Sequence, residues 1–331
     1  MTATSPHVIW FEQLRRRDVP SVGGKNASLG EMVGNLAVKG VKVPSGFATT
    51  SDSFWRFIES NGLKTTIAST LADLAAGRIA LAEAGQTVRS AILRGDWSQE
   101  VAAAIADAYR DLCRRTGKQE ADVAVRSSAT AEDLPDASFA GQRETYLNIR
   151  GERALLDACR GCYASPFTDR AISYRQAKGF DHMKVALSLG VQSMVRSELG
   201  GSGVMFSIDT ETGFDKVVLI NAAWGLGENV VQGAVDPDEY LVFKPLLADT
   251  SLSPIIEKKR GDKALKMIYA SSGDHPTKNV PTSKAERAAF VLNDRDILTL
   301  SRWACIIKKH YGQPMDTEWA NKIIAPKPST E

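Results

Sequence analysis

Four side chains in this sequence have the types and settings to handle phosphate and a divalent cation. Lys25 stands in Gly23-Gly24-Lys25-Asn26, between two glycines and an expected helix start. Backbone N–H groups at such a place, with the helix dipole and an ammonium, attract anionic oxygens. Arg126 ends a short apolar strand, Asp122-Val123-Ala124-Val125-Arg126, and offers fixed, planar donors that match phosphate. Hydroxyls and acids crowd behind it in Ser127-Ser128-Ala129-Thr130-Ala131-Glu132-Asp133. Pro135-Asp136-Ala137-Ser138-Phe139-Ala140-Gly141-Gln142 follows, a run of small residues around one aromatic that can lie over a phosphate. Met315-Asp316-Thr317-Glu318-Trp319 reads as a short strand, and alternation puts Asp316 and Glu318 on one face. Two carboxylates suit Mg²⁺, which takes oxygen ligands and keeps waters and substrate phosphates for the rest.

Two common nucleotide motifs are excluded. Gly23-Gly24-Lys25-Asn26 lacks the earlier glycine and the Ser or Thr after the Lys that a P-loop needs. Gly225-Leu226-Gly227-Glu228 begins like a dinucleotide fingerprint, but Val230 occupies the third glycine position. Cys159 and Cys162 form a C-x-x-C, yet no second ligand pair accompanies them. Their segment reads as helix, where they are expected to be small buried residues.

The elements that must position these groups alternate between helices and strands. Asn26 reads as an N-cap, and Leu29, Met32, Val33 and Leu36 recur at helical spacing after it. Val43 to Phe47 is extended. Residues 51–115 read as a run of helices, with Val101, Ile105, Ala108, Tyr109 and Leu112 as one apolar stripe. In the second half, Val185 to Val195 reads as a strand, Gly200 to Gly203 as a turn and Val204 to Ser207 as its return, a hairpin. Val217 to Ile220 and Tyr240 to Phe243 are further strands. Leu247 to Lys284 reads as polar and loop-rich, with Lys258-Lys259-Arg260 on a solvated loop or edge strand. A last helix uses Ile297, Leu300, Ala304 and Ile307. The pattern is α+β, not a regular βαβ winding.

Length and composition agree with a globular chain. It has 331 residues, 43% hydrophobic and 24% charged, enough for two lobes. A net charge of +2, from 41 basic and 39 acidic residues, argues against a general nucleic-acid binder. No apolar run reaches the roughly 20 residues that span a bilayer, and no secretory signal opens the sequence, so no membrane partner is expected. Four cysteines do not make a disulfide scaffold, and a reducing cytoplasm is the expected setting.

The motifs also occur in a telling order. Residues 23–32, Val43-Pro44-Ser45-Gly46-Phe47-Ala48-Thr49-Thr50, residues 124–133 and residues 136–142 together resemble the N-terminal domain of the phosphoenolpyruvate synthase (pyruvate, water dikinase) family. The resemblance continues through Asp169 to Arg175, Gly203 to Thr210, Trp224 to Glu228, Gln232 to Glu239 and His310 to Asp316. The pyruvate phosphate dikinase and rifampin phosphotransferase families share the first Lys and Arg motifs but match the long segments less closely. The resemblance implies an ATP-grasp-like fold in which two subdomains enclose ATP, here residues 1–190, with a helical insert at about 51–115, and residues 191–331. It implies that Lys25 and Arg126 hold the ATP phosphates, and that a loop with Ser138, Gly141 and Gln142 covers them. Gln192, Met194 and Val195 would meet adenine, largely through backbone. Glu228 and Asp238 would fall in segments that line the cleft. Glu318, with Asp316 beside it, would bind Mg²⁺, and Arg126 and Glu318 would act in catalysis. ATP would pass phosphoryl groups to a histidine on a swivelling domain, and that histidine would convert pyruvate to phosphoenolpyruvate in a barrel domain, with AMP and phosphate as the other products.

The resemblance also marks departures. After Trp319 the family runs into a Gln-Ala-Arg-Pro-like motif, where this sequence reads Ala320-Asn321-Lys322-Ile323-Ile324. The phosphohistidine and barrel domains have no counterpart here, as expected of an artificial or natural truncation or one piece of a split enzyme. Turnover by this chain alone is not expected. The alternatives are the same domain of a related dikinase or antibiotic phosphotransferase, or a non-catalytic nucleotide-binding remnant.

Overall fold

The computed structural model describes residues 6–130, 145–249, 251–270 and 276–322. The chain divides into two compact units, one of Met1–Ala37 with Lys42–Met194, the other of Val38–Val41 with Val195–Glu331. Helices and sheets are mixed in both, an α+β architecture.

The first unit holds β1 (Val8–Trp10), α1 (Val19–Leu36), β2 (Gly46–Thr49), α2 (Ser51–Ser60), α3 (Leu63–Ala75), α4 (Leu81–Leu93), α5 (Gln99–Thr116), β3 (Val123–Ala129), β4 (Thr145–Ile149), α6 (Glu152–Ala164), α7 (Asp169–Ala177) and β5 (Leu187–Ser193). Its strands form one antiparallel sheet in the order β1-β2-β5-β3-β4. Period-2 alternation divides the sheet's residues between two faces. Phe47, Val123, Val125, Leu189 and Val191 join the core formed with the helices of residues 51–116. The expected stripe Val101, Ile105, Ala108, Tyr109 and Leu112 is buried in that core. Each fully buried large apolar side chain there contributes about 1.5–3 kcal/mol. α5 stops at Gly117, whose φ of +65° the left-handed cap requires.

The opposite face of the sheet carries α1, which packs on β3 and β5. Here the sequence reading needs correction. Asn26 is not an N-cap; it lies inside α1 and is buried. Of the apolar series, only Leu36 is fully buried, while Leu29 and Val33 pack at the margin of a small cluster with Phe11, Leu14 and Ala48. Besides Val22 and Leu36, the buried positions of α1 are Gly23, Gly24, Asn26, Ala27, Gly30 and Glu31. Small residues let the helix axis approach the sheet, and that need outweighed apolar periodicity.

The second unit holds β6 (Gly201–Phe206), β7 (Val217–Trp224), α8 (Glu228–Val231), β8 (Asp238–Phe243), β9 (Ile255–Lys259), β10 (Leu265–Tyr269), β11 (Thr277–Pro281), α9 (Lys284–Ala288), α10 (Asp294–Tyr311) and β12 (Asp316–Asn321). Its main sheet is antiparallel in the order β12-β6-β7-β8-β9, and β10 and β11 form a separate ribbon. The expected hairpin of residues 185–207 is therefore absent. β5 and β6 belong to different sheets, and Gly201 to Gly203 are strand, not turn. The segment 247–284 contains three strands, with Lys258 and Lys259 on the edge strand β9 as expected. α10 buries Ile297, Leu300, Ala304 and Ile307. The Asn293 side chain accepts the Asp296 N–H at 3.0 Å at its start, and Gly312 closes it at φ +75°.

A fully buried ion pair holds this unit together. Lys263 Nζ lies 2.5 Å from Asp238 Oδ1, and both side chains have 0% exposure. Asp238 Oδ1 also accepts the Gly261 N–H, and Oδ2 accepts from Tyr240 OH and the Val291 N–H. Lys263 Nζ donates to Gly261 O as well. One carboxylate thus ties β8, the 261–263 turn and the chain before α10 into one knot.

Two predictions follow from this packing. Lys263→Met leaves the Asp238 carboxylate buried without its cation, and is expected to lower unfolding free energy in urea by about 3–5 kcal/mol. Burial pushes the Cys159 thiol up to about 12. Cys159 is therefore expected to stay unalkylated by iodoacetamide at pH 8 in the folded protein and to react after guanidinium unfolding, read by peptide mass.

Candidate nucleotide-phosphate site

Within the first unit, the chemistry-bearing residues gather on the α1 face of the sheet. α1 is broken at Gly23, whose φ of 73° and ψ of 164° are not helical. A Cβ at Gly23 would lie 2.3 Å from Ser128 Oγ and 2.7 Å from Ala129 O, so only glycine lets the chain press against β3 here. Beyond this kink the helix restarts, and Gly24, Lys25 and Asn26 supply its first N–H groups.

Asn26 fixes the restarted helix to the sheet. Its Nδ2 donates to Ser188 Oγ at 2.8 Å and to Val22 O at 3.2 Å. Ser188 Oγ in turn donates to Thr49 O at 2.5 Å. A Cβ at Gly190 would meet Asn26 Oδ1 at 2.3 Å, so β5 also needs glycine beneath the helix. With Asn26 held inward, the next residue back, Lys25, is exposed.

Arg126 is the one exposed residue of β3, with buried neighbours on both sides. It pairs with Gly190, and Ser128 pairs with Ser188, so these residues share the face that α1 covers. The structure thus brings the Lys25 helix start and the Arg126 strand to one face of one sheet. The Ser128 hydroxyl, 1% exposed, has no hydrogen-bond partner among the described residues. Ser188, Gly190 and Asn26 were not singled out as site residues. The sequence signal available was the pair of hydroxyls and glycines two residues apart, which is weak without knowing the strand pairing.

The remaining expected residues separate into three groups. Ser138, Gly141 and Gln142 lie outside the described residues. Gln192 closes β5, and its Nε2 donates to Pro44 O at 3.2 Å. The Met194 N–H donates to Asp122 O at 2.9 Å, and Met194 Sδ accepts the Asn148 N–H at 3.3 Å. Val195 O accepts the Ser197 N–H at 2.7 Å. In the second unit, Glu228 begins α8, and its carboxylate accepts from Gln232 at 3.3 Å. Asp238 departs from the expectation that it lines a cleft. Its two oxygens already take four donors, the full capacity of a carboxylate, and it is entirely buried. Its work is structural.

Asp316 and Glu318 are both exposed on β12, with Trp319 buried on the other side. β12 is an edge strand, registered so that Glu318 faces Val204 and Asp316 faces Phe206. Among the described residues, no group of three or more His, Cys, Asp or Glu could hold a metal ion. Two hard oxygen donors are therefore what this strand has to offer. No helix among the described residues is long and apolar enough to cross a membrane.

The helix start that bears Lys25 and the strand that bears Arg126 thus lie on one face of the first unit's sheet. The chain belongs to the pyruvate phosphate dikinase, AMP/ATP-binding domain family, whose model matches residues 19–327. It is similar to the phosphoenolpyruvate synthase of Synechocystis, with 55% identity over 95% of this chain and 40% of that protein. The phosphoenolpyruvate synthase of Helicobacter pylori is 50% identical over 95% of this chain and 40% of its own length. That of Escherichia coli is 50% identical over 96% of this chain and 40% of its own length. The chain thus spans about 40% of the length of these relatives.

The close approach at Gly23 yields a direct test. Gly23→Ala is expected to destabilise the protein by about 1–3 kcal/mol, because the new Cβ meets β3 backbone and the φ is left-handed. The urea midpoint measures it.

Proposed function

We propose that this chain is the ATP-binding domain of a phosphoenolpyruvate synthase, and that it presents the phosphates of ATP for transfer. The observation that carries the reading is the placement of the Lys25 helix and of Arg126 on one sheet face, within a chain 55% identical to a phosphoenolpyruvate synthase. Lys25 supplies a compact charge beside helix N–H groups, and Arg126 a planar fork for two phosphate oxygens. Such electrostatic clamping is most of what phosphoryl transfer asks of a protein.

The reading extends to an ATP-grasp-like fold with its two subdomains on either side of residue 190, and to the Ser138, Gly141 and Gln142 loop as a cover. Gln192, Met194 and Val195 meet the base, and Glu228 stands beside the nucleotide. Asp316 and Glu318 fit a hard divalent cation, Mg²⁺, whose other positions go to waters and phosphate oxygens. When bound, Mg²⁺ neutralises charge on the phosphates. What the protein itself does is hold two carboxylates on a rigid strand. The acceptor is a histidine on a further domain, and the whole reaction yields phosphoenolpyruvate, AMP and phosphate from ATP, pyruvate and water.

Calorimetric titration with Mg-ATP tests the reading. Saturable binding is expected, weakened at least about tenfold by Lys25→Ala and by Arg126→Ala, as loss of a charge-assisted phosphate contact requires. No binding by a folded protein would overturn it. Glu318→Gln is expected to raise the Mg²⁺ concentration needed for half-maximal binding, read by the same titration at several Mg²⁺ concentrations.

A further inference from the structure

We propose that Asp122 reads the base: its Oδ2 accepts a hydrogen bond from the exocyclic amino group of adenine and so separates ATP from GTP. The inference rests on the nucleotide reading above and assigns that site a specificity residue.

Position comes first. The Met194 N–H donates to Asp122 O at 2.9 Å, which extends the β3–β5 ladder one residue beyond Val123. Val123 and Val125 point into the helical core. Alternation therefore puts Asp122 on the other face, with Ala124, Arg126 and Ser128. Asp122 and Arg126 are four residues apart on one strand, roughly 13 Å at the usual rise. A nucleoside triphosphate laid along β3 with its outer phosphates at Arg126 and Lys25 carries its base to the Asp122 end.

At that end two acceptor atoms lack a donor among the described residues. Asp122 is only 3% exposed. Its Oδ1 takes Lys118 Nζ at 2.5 Å, while Oδ2 is buried with no hydrogen-bond partner among the described residues. Asn148, on β4, also stands against Met194, which its N–H reaches at 3.3 Å. Its backbone has a left-handed φ of 55°, and its Oδ1 is likewise buried without a partner among the described residues. Buried acceptors left unmet are costly, and few are kept without a use. Asp122 and Asn148 both touch Met194 through their backbones, their unmet side-chain atoms are both acceptors, and an amino group brings N–H donors. Adenine carries such a group at C6. Guanine carries a carbonyl oxygen there, which a carboxylate repels.

The test is a calorimetric comparison of ATP, GTP and purine riboside 5′-triphosphate, which lacks only the amino group, each with Mg²⁺ and this chain. Both analogues are expected to bind at least about tenfold more weakly than ATP, the usual effect of one hydrogen bond to a charged group. Asp122→Asn, whose amide can also donate, is expected to narrow the ATP-to-GTP ratio at least about fivefold. Equal binding of ATP and purine riboside triphosphate would overturn the assignment, while the nucleotide reading would stand. An Asp122→Asn protein that loses ATP and GTP affinity in equal measure would also overturn it, by showing a structural carboxylate. Absence of ATP binding would remove both readings together. If Asp122→Asn does not fold, the analogue series on the unaltered chain decides alone.

Discussion

At Gly23 the backbone takes a φ of 73° with the Ser128 hydroxyl and the Ala129 carbonyl directly beneath it. Any side chain at this point would push α1 off the sheet. The contact sets where the helix restarts and therefore where its first N–H groups fall. It also sets which of two adjacent residues turns inward. Asn26 goes to Ser188, and Lys25 is left on the outside. A glycine two residues earlier and an amide one residue later thus fix the place of the lysine.

The same economy governs β3. A strand with one face in a large apolar core has little freedom of register, because a slip of one residue would drive Arg126 into that core. Val123, Val125 and Ala129 anchor the strand on the bundle side, and the register with β5 then places Arg126 opposite Gly190. Gly190 has no side chain to contest the space, and Asn26 Oδ1 uses it. Core packing on one side of the sheet thus positions the cation on the other.

The second unit follows a different logic. Its knot is ionic, with Asp238 and Lys263 wholly enclosed and every oxygen of the carboxylate engaged. Buried pairs of this kind give little net stability compared with an apolar replacement, but losing one partner is severe. They specify arrangement. Lys263 itself has a positive φ of 47°, a strained position for a long side chain, and the surrounding bonds hold it there. Asp316 and Glu318, by contrast, stand on the outer side of an edge strand, where carboxylates meet water at little cost.

Much of this was legible in the residues. The helical stripes of α5 and α10, a strand through Arg126 (though it runs on to Ala129 where the sequence reading ended it at Arg126) and the shared face of Asp316 and Glu318 all follow from local periodicity. The order of motifs pointed to the family, because short segments in a fixed sequence carry information that each lacks alone. What could not be read was anything set by pairing at long range. Gly201 to Gly203 looked like a turn, since local glycine content signals turns, but neighbouring strands in another sheet made them strand. Asn26 looked like a cap, since its type suits caps, but a hydroxyl 162 residues away claimed its amide. Asp238, which the resemblance put in a cleft-lining segment, is taken up by Lys263 and three further donors. Sequence alone determined which residues could do phosphate chemistry and most of the elements bearing them. Only the tertiary structure decided which of those side chains are enclosed and bonded within the fold and which stand exposed, because hydrogen-bond capacity is finite and its partners come from distant parts of the chain.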